Sequence, residues 1–151
     1  MGITNTYPYI LKKKVDVSGE NCHIIYDERQ EQPFNKLLTD LNYFTQELIE
    51  GTFEYATHIL FKGDEIVCSL NIKYVFDKEF PIKGKDKQLY KRITYCPYLE
   101  TFSEILKSIG FEGLCCVNYK VRNKQPMIIE INPRCGYSLN PYLFSFVERV
   151  I

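Results

Sequence analysis

The 151-residue chain has no tryptophan, only two histidines and two methionines, and no surplus of charge of either sign. Nineteen lysines and arginines balance nineteen aspartates and glutamates, so no global field recruits nucleic acid or an anionic membrane, and affinity for an anion has to be local. His23 and His58 are the sole imidazoles, and the cysteines at 22, 68, 96, 115, 116 and 135 form no C-x-x-C pair. A zinc site therefore lacks its residues. No apolar run approaches a membrane span, and Met1-Gly2-Ile3-Thr4-Asn5-Thr6 lacks the basic and apolar regions of a secretory signal. Cys68, Cys115 and Cys116 lie inside apolar strand patterns as small hydrophobes, so a reduced, cytoplasmic protein is expected.

What is present argues for a folded core. Hydrophobic residues make up 45% and aromatics 15% of the chain, well above a disordered composition. Period-two runs predict strands over 9–13, 22–26 and 43–49, with a helix over 28–42 carrying Phe34, Leu37, Leu38 and Leu41 at helical spacing. Beyond Gly51, strands over 53–61 and 65–76 join at Lys62-Gly63-Asp64 as a hairpin. The lysine-rich stretch 77–92 has no apolar period and reads as a mobile loop. A helix over 97–109 places Leu99, Phe102, Ile105 and Leu106 on one face with Gly110 as its C-cap. A last helix is expected from Leu139 onward, packing Leu143, Phe144 and Val147 onto the sheet. The fold class is α+β: a tail over 1–6, a small α/β layer over 7–50, a larger antiparallel sheet with helices over 51–151, and a ligand cleft between the layers.

The most informative stretch is Glu130-Ile131-Asn132-Pro133-Arg134. In a strand, residues i and i+2 share a face, so Glu130 and Asn132 offer two hard oxygen ligands side by side, the kind Mg²⁺ takes when it also holds phosphates. A strand end with an Asn-Pro turn and exposed charges accounts for the same five residues. The preceding segment reads as a strand over 113–121, a polar turn at 122–125 and a returning strand over 126–131. Pairing of these strands brings Asn118 near Glu130 and Asn132, giving three oxygen donors on one face.

This constellation resembles the ATP-grasp superfamily, whose metal-binding hairpin has Asp, Glu or Gln on one strand and Glu-x-Asn on the next. Tyr7-Pro8-Tyr9-Ile10-Leu11-Lys12 is similar to the family's strand ending in a phosphate lysine, and Val17-Ser18-Gly19 to its phosphate-covering loop. The stretch from Gln46 to Tyr55 resembles the adenine hinge. The resemblance implies ATP and Mg²⁺ (or Mn²⁺) as cofactors. It implies Lys12, Ser18 and Gly19 at the phosphates, Glu47, Leu48 and Ile49 at the adenine edge, and Glu54 at the ribose hydroxyls. It further implies Asn118, Glu130 and Asn132 as metal ligands, with Arg134 as the catalytic cation on the transferring phosphoryl group or the substrate carboxylate. Lys73, and Lys91 or Arg92, are weaker candidates for the γ-phosphate. The loop carries Glu20 and Asn21 where the family favours small residues, and Asn118 supplies a neutral oxygen where Asp is commonest. Solvated lysines, a plain turn and exposed strand glutamates are the competing explanations for Lys12, Ser18-Gly19 and the hinge.

By the same resemblance the activity is an ATP-dependent carboxylate-amine or carboxylate-thiol ligase working through an acylphosphate, nearest in its Glu-Ile-Asn-Pro-Arg motif to carbamoyl-phosphate-synthase-like members. Its partners would be ATP, a small carboxylate and an amine, with neither nucleic acid nor membrane. Family enzymes carry an N-terminal domain, and this sequence starts close to the phosphate strand. It is therefore expected to be a piece of a larger enzyme or a split subunit, inactive alone, with Tyr7, Tyr9, Tyr142, Phe144 and Phe146 as candidate uncovered surfaces and a homodimer as one way to cover them. A non-catalytic nucleotide-binding module and a partner-binding domain stay open beside the ligase.

Overall fold

Residues 6–148 of the computed structural model are described, and within them the period-two runs become eight strands in two antiparallel sheets. The architecture is α+β. The first sheet has the order β2-β1-β3, from β1 (Tyr9–Lys13), β2 (Cys22–Ile25) and β3 (Tyr43–Glu47). Alternation along β1 separates two faces. Tyr9 and Leu11 are buried with Ile25 against Phe34, Leu37 and Leu38, while Ile10 and Lys12 line a cavity on the other side.

The helix expected over 28–42 is shorter and broken. Asp27 caps α1 (Glu28–Glu31), accepting from the Gln30 amide at 2.9 Å. A 3₁₀ turn (Gln32–Phe34) and α2 (Asn35–Leu38) follow. Pro33 has no N–H to continue the helical ladder, which is why one helix becomes three short pieces.

The second sheet has the order β6-β5-β4-β7-β8. Its strands are β4 (Phe53–Lys62), β5 (Glu65–Val75), β6 (Tyr90–Thr94), β7 (Gly113–Arg122) and β8 (Gln125–Asn132). One face packs under α3 (Leu99–Ser108), where Phe102 and Leu106 join Ile59, Phe61, Val117 and Tyr119 in the largest buried cluster. Burial of each large apolar side chain contributes about 1.5–3 kcal/mol. Gly110 ends α3 as expected: its amide reaches Lys107 O and the Phe111 amide reaches Leu106 O, both at 3.0 Å, a Schellman closure.

The β7–β8 hairpin turns at Asn123 and Lys124, both with positive φ, so Arg122 pairs with Gln125. Regular counting from that turn would set Asn118 opposite Ile129 and point Glu130 toward α3. A bulge between Asn118 and Tyr119 prevents this. Tyr119 pairs with Ile128, Ile129 is the extra residue, and Asn118 pairs with Glu130. The bulge thus switches Glu130 to the face away from α3.

The stretch 77–92 differs from the expected mobile loop. Its residues from Lys78 to Asp86 form a strap across the space between the sheets. The Gly51 amide donates to Glu79 O (2.9 Å), the Asp86 carboxylate accepts from the Ile82 amide (2.8 Å), and Lys85 Nζ reaches Cys22 O (3.1 Å). After the strap, β6 pairs with β5. This edge strand is almost wholly exposed, so its sequence lacks the apolar alternation that announces a strand.

The C-terminal helix is also corrected. A 3₁₀ segment (Tyr137–Tyr142) containing Pro141 precedes α4 (Leu143–Val147), since proline cannot donate within a helix. Leu139 and Phe146 are buried beside Cys68, with Leu143 packed against them, whereas Phe144 and Val147 are exposed. Of the aromatic surfaces expected to be uncovered, Tyr9 and Phe146 are buried. Positions 149–151 of the expected helix, and 1–5 of the expected tail, lie outside the described residues. Among the described residues no helix is long and apolar enough to cross a membrane.

Candidate active site

The cleft between the sheets gathers most of the residues singled out above. On the hairpin, Asn118 Nδ2 donates to Glu130 Oε1 at 2.7 Å and Asn132 Nδ2 donates to the same oxygen at 2.9 Å. The three side chains converge. Lys12 faces them from β1, its Nζ 3.9 Å from Glu130 Oε2 and 3.3 Å from Gln46 Oε1. Gln46 in turn donates from Nε2 to Ile129 O at 2.9 Å, bridging the two sheets.

Desolvation acts to raise the Glu130 carboxyl, but hydrogen bonds from Asn132 and Asn118 and the charges of Lys12 and Lys83 outweigh it. The group lies below the ordinary carboxylate range. Among the described residues no three His, Cys, Asp or Glu side chains form a metal cluster. A cation here would rely on one carboxylate and two amide oxygens, a hard-oxygen set suited to Mg²⁺ that takes its other ligands from phosphate and water.

The loop between β1 and β2 turns at Ser18 (φ 56°) and Gly19 (φ 71°). A Cβ on Gly19 would lie 2.8 Å from Ile82 Cγ2, and one on Gly84 (φ 97°) would lie 2.5 Å from Ser18 O. Loop and strap therefore touch through the two positions that carry no side chain.

A cavity of about 110 Å³ is lined by Glu47, Leu48 and Ile49 of the hinge together with Ile10, Ile82, Ile129 and Glu54. Its apolar walls suit a planar ring. The Glu47 carboxylate is held by Arg122, whose hydrogen bond keeps it below its usual pKa. Ile49 O accepts from Lys120 Nζ at 2.7 Å. That carbonyl already has a donor.

Two lysines here escaped the sequence reading. Lys83, from the strap, places Nζ 2.9 Å from Glu54 Oε1 and also donates to Asn118 Oδ1. Burial disfavours its ammonium, but Glu54 more than compensates and raises its pKa. Lys120 is 3% exposed, with burial lowering its pKa against a partial offset from Glu54. Lys83 lies in an aperiodic segment and gave no signal, whereas Lys120 stands two residues beyond Asn118 and period two marks it for the cleft.

The structure sets Lys73 elsewhere, and this is a correction. It lies on the α3 face of β5, its ammonium 3.4 Å from the Phe53 ring centroid, with Tyr55 beside it. It is one residue out of phase with Tyr74, which lines the cleft. Arg92 pairs with Lys73 across β5 and β6 and shares that far face, while Lys91 and Arg134 line the cleft. Arg134 donates to Cys135 O at 3.2 Å. The Lys12 end of the cleft opens into a second cavity of about 770 Å³, lined also by Ser18, Gly19, Cys116 and Ser138. At its wall the fully buried His58 contacts Ser138 Oγ through Nε2 at 2.9 Å, and burial together with the Lys83 charge lowers its pKa to about 4. Burial raises the Cys116 thiol to about 11, so it is no thiolate nucleophile.

Comparison with known proteins agrees with this geometry. The ATP-grasp domain family model matches residues 3–138. Among solved structures, D-alanine–D-alanine ligase from Bacillus anthracis complexed with ATP superposes with a TM-score of 0.64 at 14% identity, covering 95% of this chain and 48% of that one. L-amino acid ligase from Bacillus licheniformis gives 0.65 at 14% identity over 97% and 36%. Carboxyaminoimidazole ribonucleotide synthase from Aspergillus clavatus complexed with ATP gives 0.60 at 17% identity over 87% and 35%. The chain thus spans about half or less of the length of these structures. A search of curated proteins found no match. With the family model matched over most of the sequence and two antiparallel sheets enclosing a lysine-lined cleft, the chain belongs to the ATP-grasp family.

Proposed function

We propose that this chain is the nucleotide- and metal-binding part of an ATP-dependent carboxylate-amine (or carboxylate-thiol) ligase that works through an acylphosphate. The observation that carries the reading is the convergence of Asn118 and Asn132 on Glu130 Oε1, with Lys12 facing them. In this reading adenine occupies the hinge cavity against Leu48 and Ile49, and Glu54 accepts from the ribose hydroxyls. The phosphates lie beneath Ser18 and Gly19, between Lys12 and Lys83.

Glu130, Asn118 and Asn132 would hold Mg²⁺, which when bound neutralises phosphate charge. Lys12 and Lys83 orient the triphosphate and stabilise the negative charge of the transferring group, and Arg134 steadies the incoming carboxylate. The task is alignment and electrostatics, with no covalent enzyme nucleophile. The carboxylate oxygen forms the bond to γ-phosphorus, ADP leaves, and the amine or thiol then displaces phosphate from the acyl carbon. Any further domain of the enzyme would supply the rest of the acceptor site.

One contact favours a second reading. Lys83 occupies both the Glu54 carboxylate and the Asn118 oxygen, as a module that binds nucleotide without metal would allow. Calorimetric titration of ATP with and without Mg²⁺ separates the two. The ligase reading expects Mg²⁺ to strengthen binding; equal affinity with and without the metal selects the module, and no binding rejects both.

A further inference from the structure

The cleft is far more basic than the chain that builds it. The protein as a whole is neutral, yet seven lysine and arginine side chains line the 770 Å³ cavity against the carboxylates of Asp16, Asp86 and Glu130. Part of that charge is already engaged. Lys12 pairs with Glu130 and Lys83 with Glu54, while Asp86 pairs outward with Lys78. Of the seven, Lys13, Lys14, Lys87, Lys91 and Arg134 form no ion pair among the described residues, and Lys13 and Lys14 directly follow Lys12 at the end of β1.

The other three cations lie at two separate ends. Arg134 follows Asn132 by two residues, at the hairpin edge of the sheet. Lys91 is on the opposite edge: it pairs with Tyr74, two residues along β5 from the line Ile72, Ala56, Asn118, Glu130 that crosses the sheet. From β6 to β8 is four strand spacings, about 19 Å between backbones at ~4.8 Å each. Lys87 lines the same cavity just before β6. Between the two ends the floor is made by Ala56, Tyr74 and Cys116, none of them a cation. A triphosphate held by Lys12, Lys83 and the Asn118–Glu130–Asn132 trio leaves the Lys87 and Lys91 end without an anion.

We infer that the acceptor is a dianion: a small acid whose reacting carboxylate lies toward Arg134 and whose second anionic group, a carboxylate or a phosphate, is held by Lys87 and Lys91. The inference rests on the ligase reading for the position of the nucleotide. It adds the charge and elongated shape of the acceptor. Two unpaired ammonium groups at the mouth of a concave basic site focus potential on an anion, and the short Ala56 and Cys116 side chains of the floor leave room for a chain linking its two charged ends.

The test uses the whole chain with Mg²⁺ and a non-hydrolysable ATP analogue. Binding of the analogue is measured first, and its failure counts against the ligase reading alone. Glutarate, 3-phosphopropionate, butyrate and inorganic phosphate are then titrated with and without the analogue. Glutarate or 3-phosphopropionate should bind at least tenfold more tightly than butyrate, and the tighter of the two identifies the second group. In Lys87→Ala/Lys91→Ala, with folding checked by circular dichroism, that ratio should fall toward one. Equal binding of butyrate and the dianions, a ratio that survives in the double variant, phosphate binding as tightly as 3-phosphopropionate, or no binding of any acid overturns the inference.

Discussion

Lys83 and Glu54 meet across the cleft with Nζ 2.9 Å from Oε1, one from the strap and the other from the first turn of β4 into the second sheet. Glu54 is 5% exposed, so removing either partner strands a charge in a poorly hydrated site. Breaking a buried pair costs about 3–5 kcal/mol, and replacing both partners costs much less. Glu54→Gln should therefore lower stability more than Glu54→Gln/Lys83→Met does. Urea unfolding of the two variants decides it, and a double variant less stable than the single one would show that the pair is not coupled.

The same carboxylate has a ligand-side prediction. Glu54→Gln should weaken ATP more than inorganic triphosphate, because the proposed contact is to ribose and a charge-assisted hydrogen bond contributes on the order of 1.5–3 kcal/mol. Lys12→Met should weaken both ligands. Equal losses for the two ligands in Glu54→Gln would remove the ribose assignment.

Metal dependence is predicted to reside in the hairpin. Glu130→Gln and Asn132→Ala keep the strand but remove a charge or an oxygen, so each should abolish most of the Mg²⁺-induced gain in ATP affinity while leaving the circular dichroism spectrum unchanged. A residue whose variant retains the full gain is not a ligand.

His58 gives a pH prediction. Burial and the Lys83 charge lower its folded pKa to about 4 from the ordinary histidine value of about 6.5, so between those values the unfolded chain binds a proton that the folded chain refuses. Stability is therefore full above about pH 6.5, falls as pH drops toward 4, and loses on the order of 3 kcal/mol from this group. His58→Phe should flatten that part of a stability-against-pH curve measured with denaturant. An unchanged slope in the variant would assign the loss to other groups.

The hairpin was the most legible part of the site, and for a physical reason. Alternation fixes which side chains share a face, and a two-residue turn brings partners into reach with little sequence between them. Even there the pairing of Asn118 with Glu130 depends on a bulge at Asn118 and Tyr119 that no residue of the turn announces. The positions of Lys12 and of residues 47–49 along the cleft were readable from strand ends. Lys73 failed because a one-residue phase error moves a side chain to the other face. Lys83 was invisible because an irregular strap is positioned by tertiary contacts, at Gly51, Cys22 and Ser18, which local pattern does not encode.

That strap joins chain segments that are far apart in sequence. It can dock only after the first sheet has positioned Cys22 and the loop at Ser18, and after β5 and β6 have brought its ends together. Closing such nonlocal contacts is slow and late in folding. The completed cleft is then expected to be the last part to assemble and the first to open, so amides of the strap should exchange with solvent at a lower free-energy cost than those of β4 and β7. Mild denaturation should abolish ligand binding before the two sheets lose their structure.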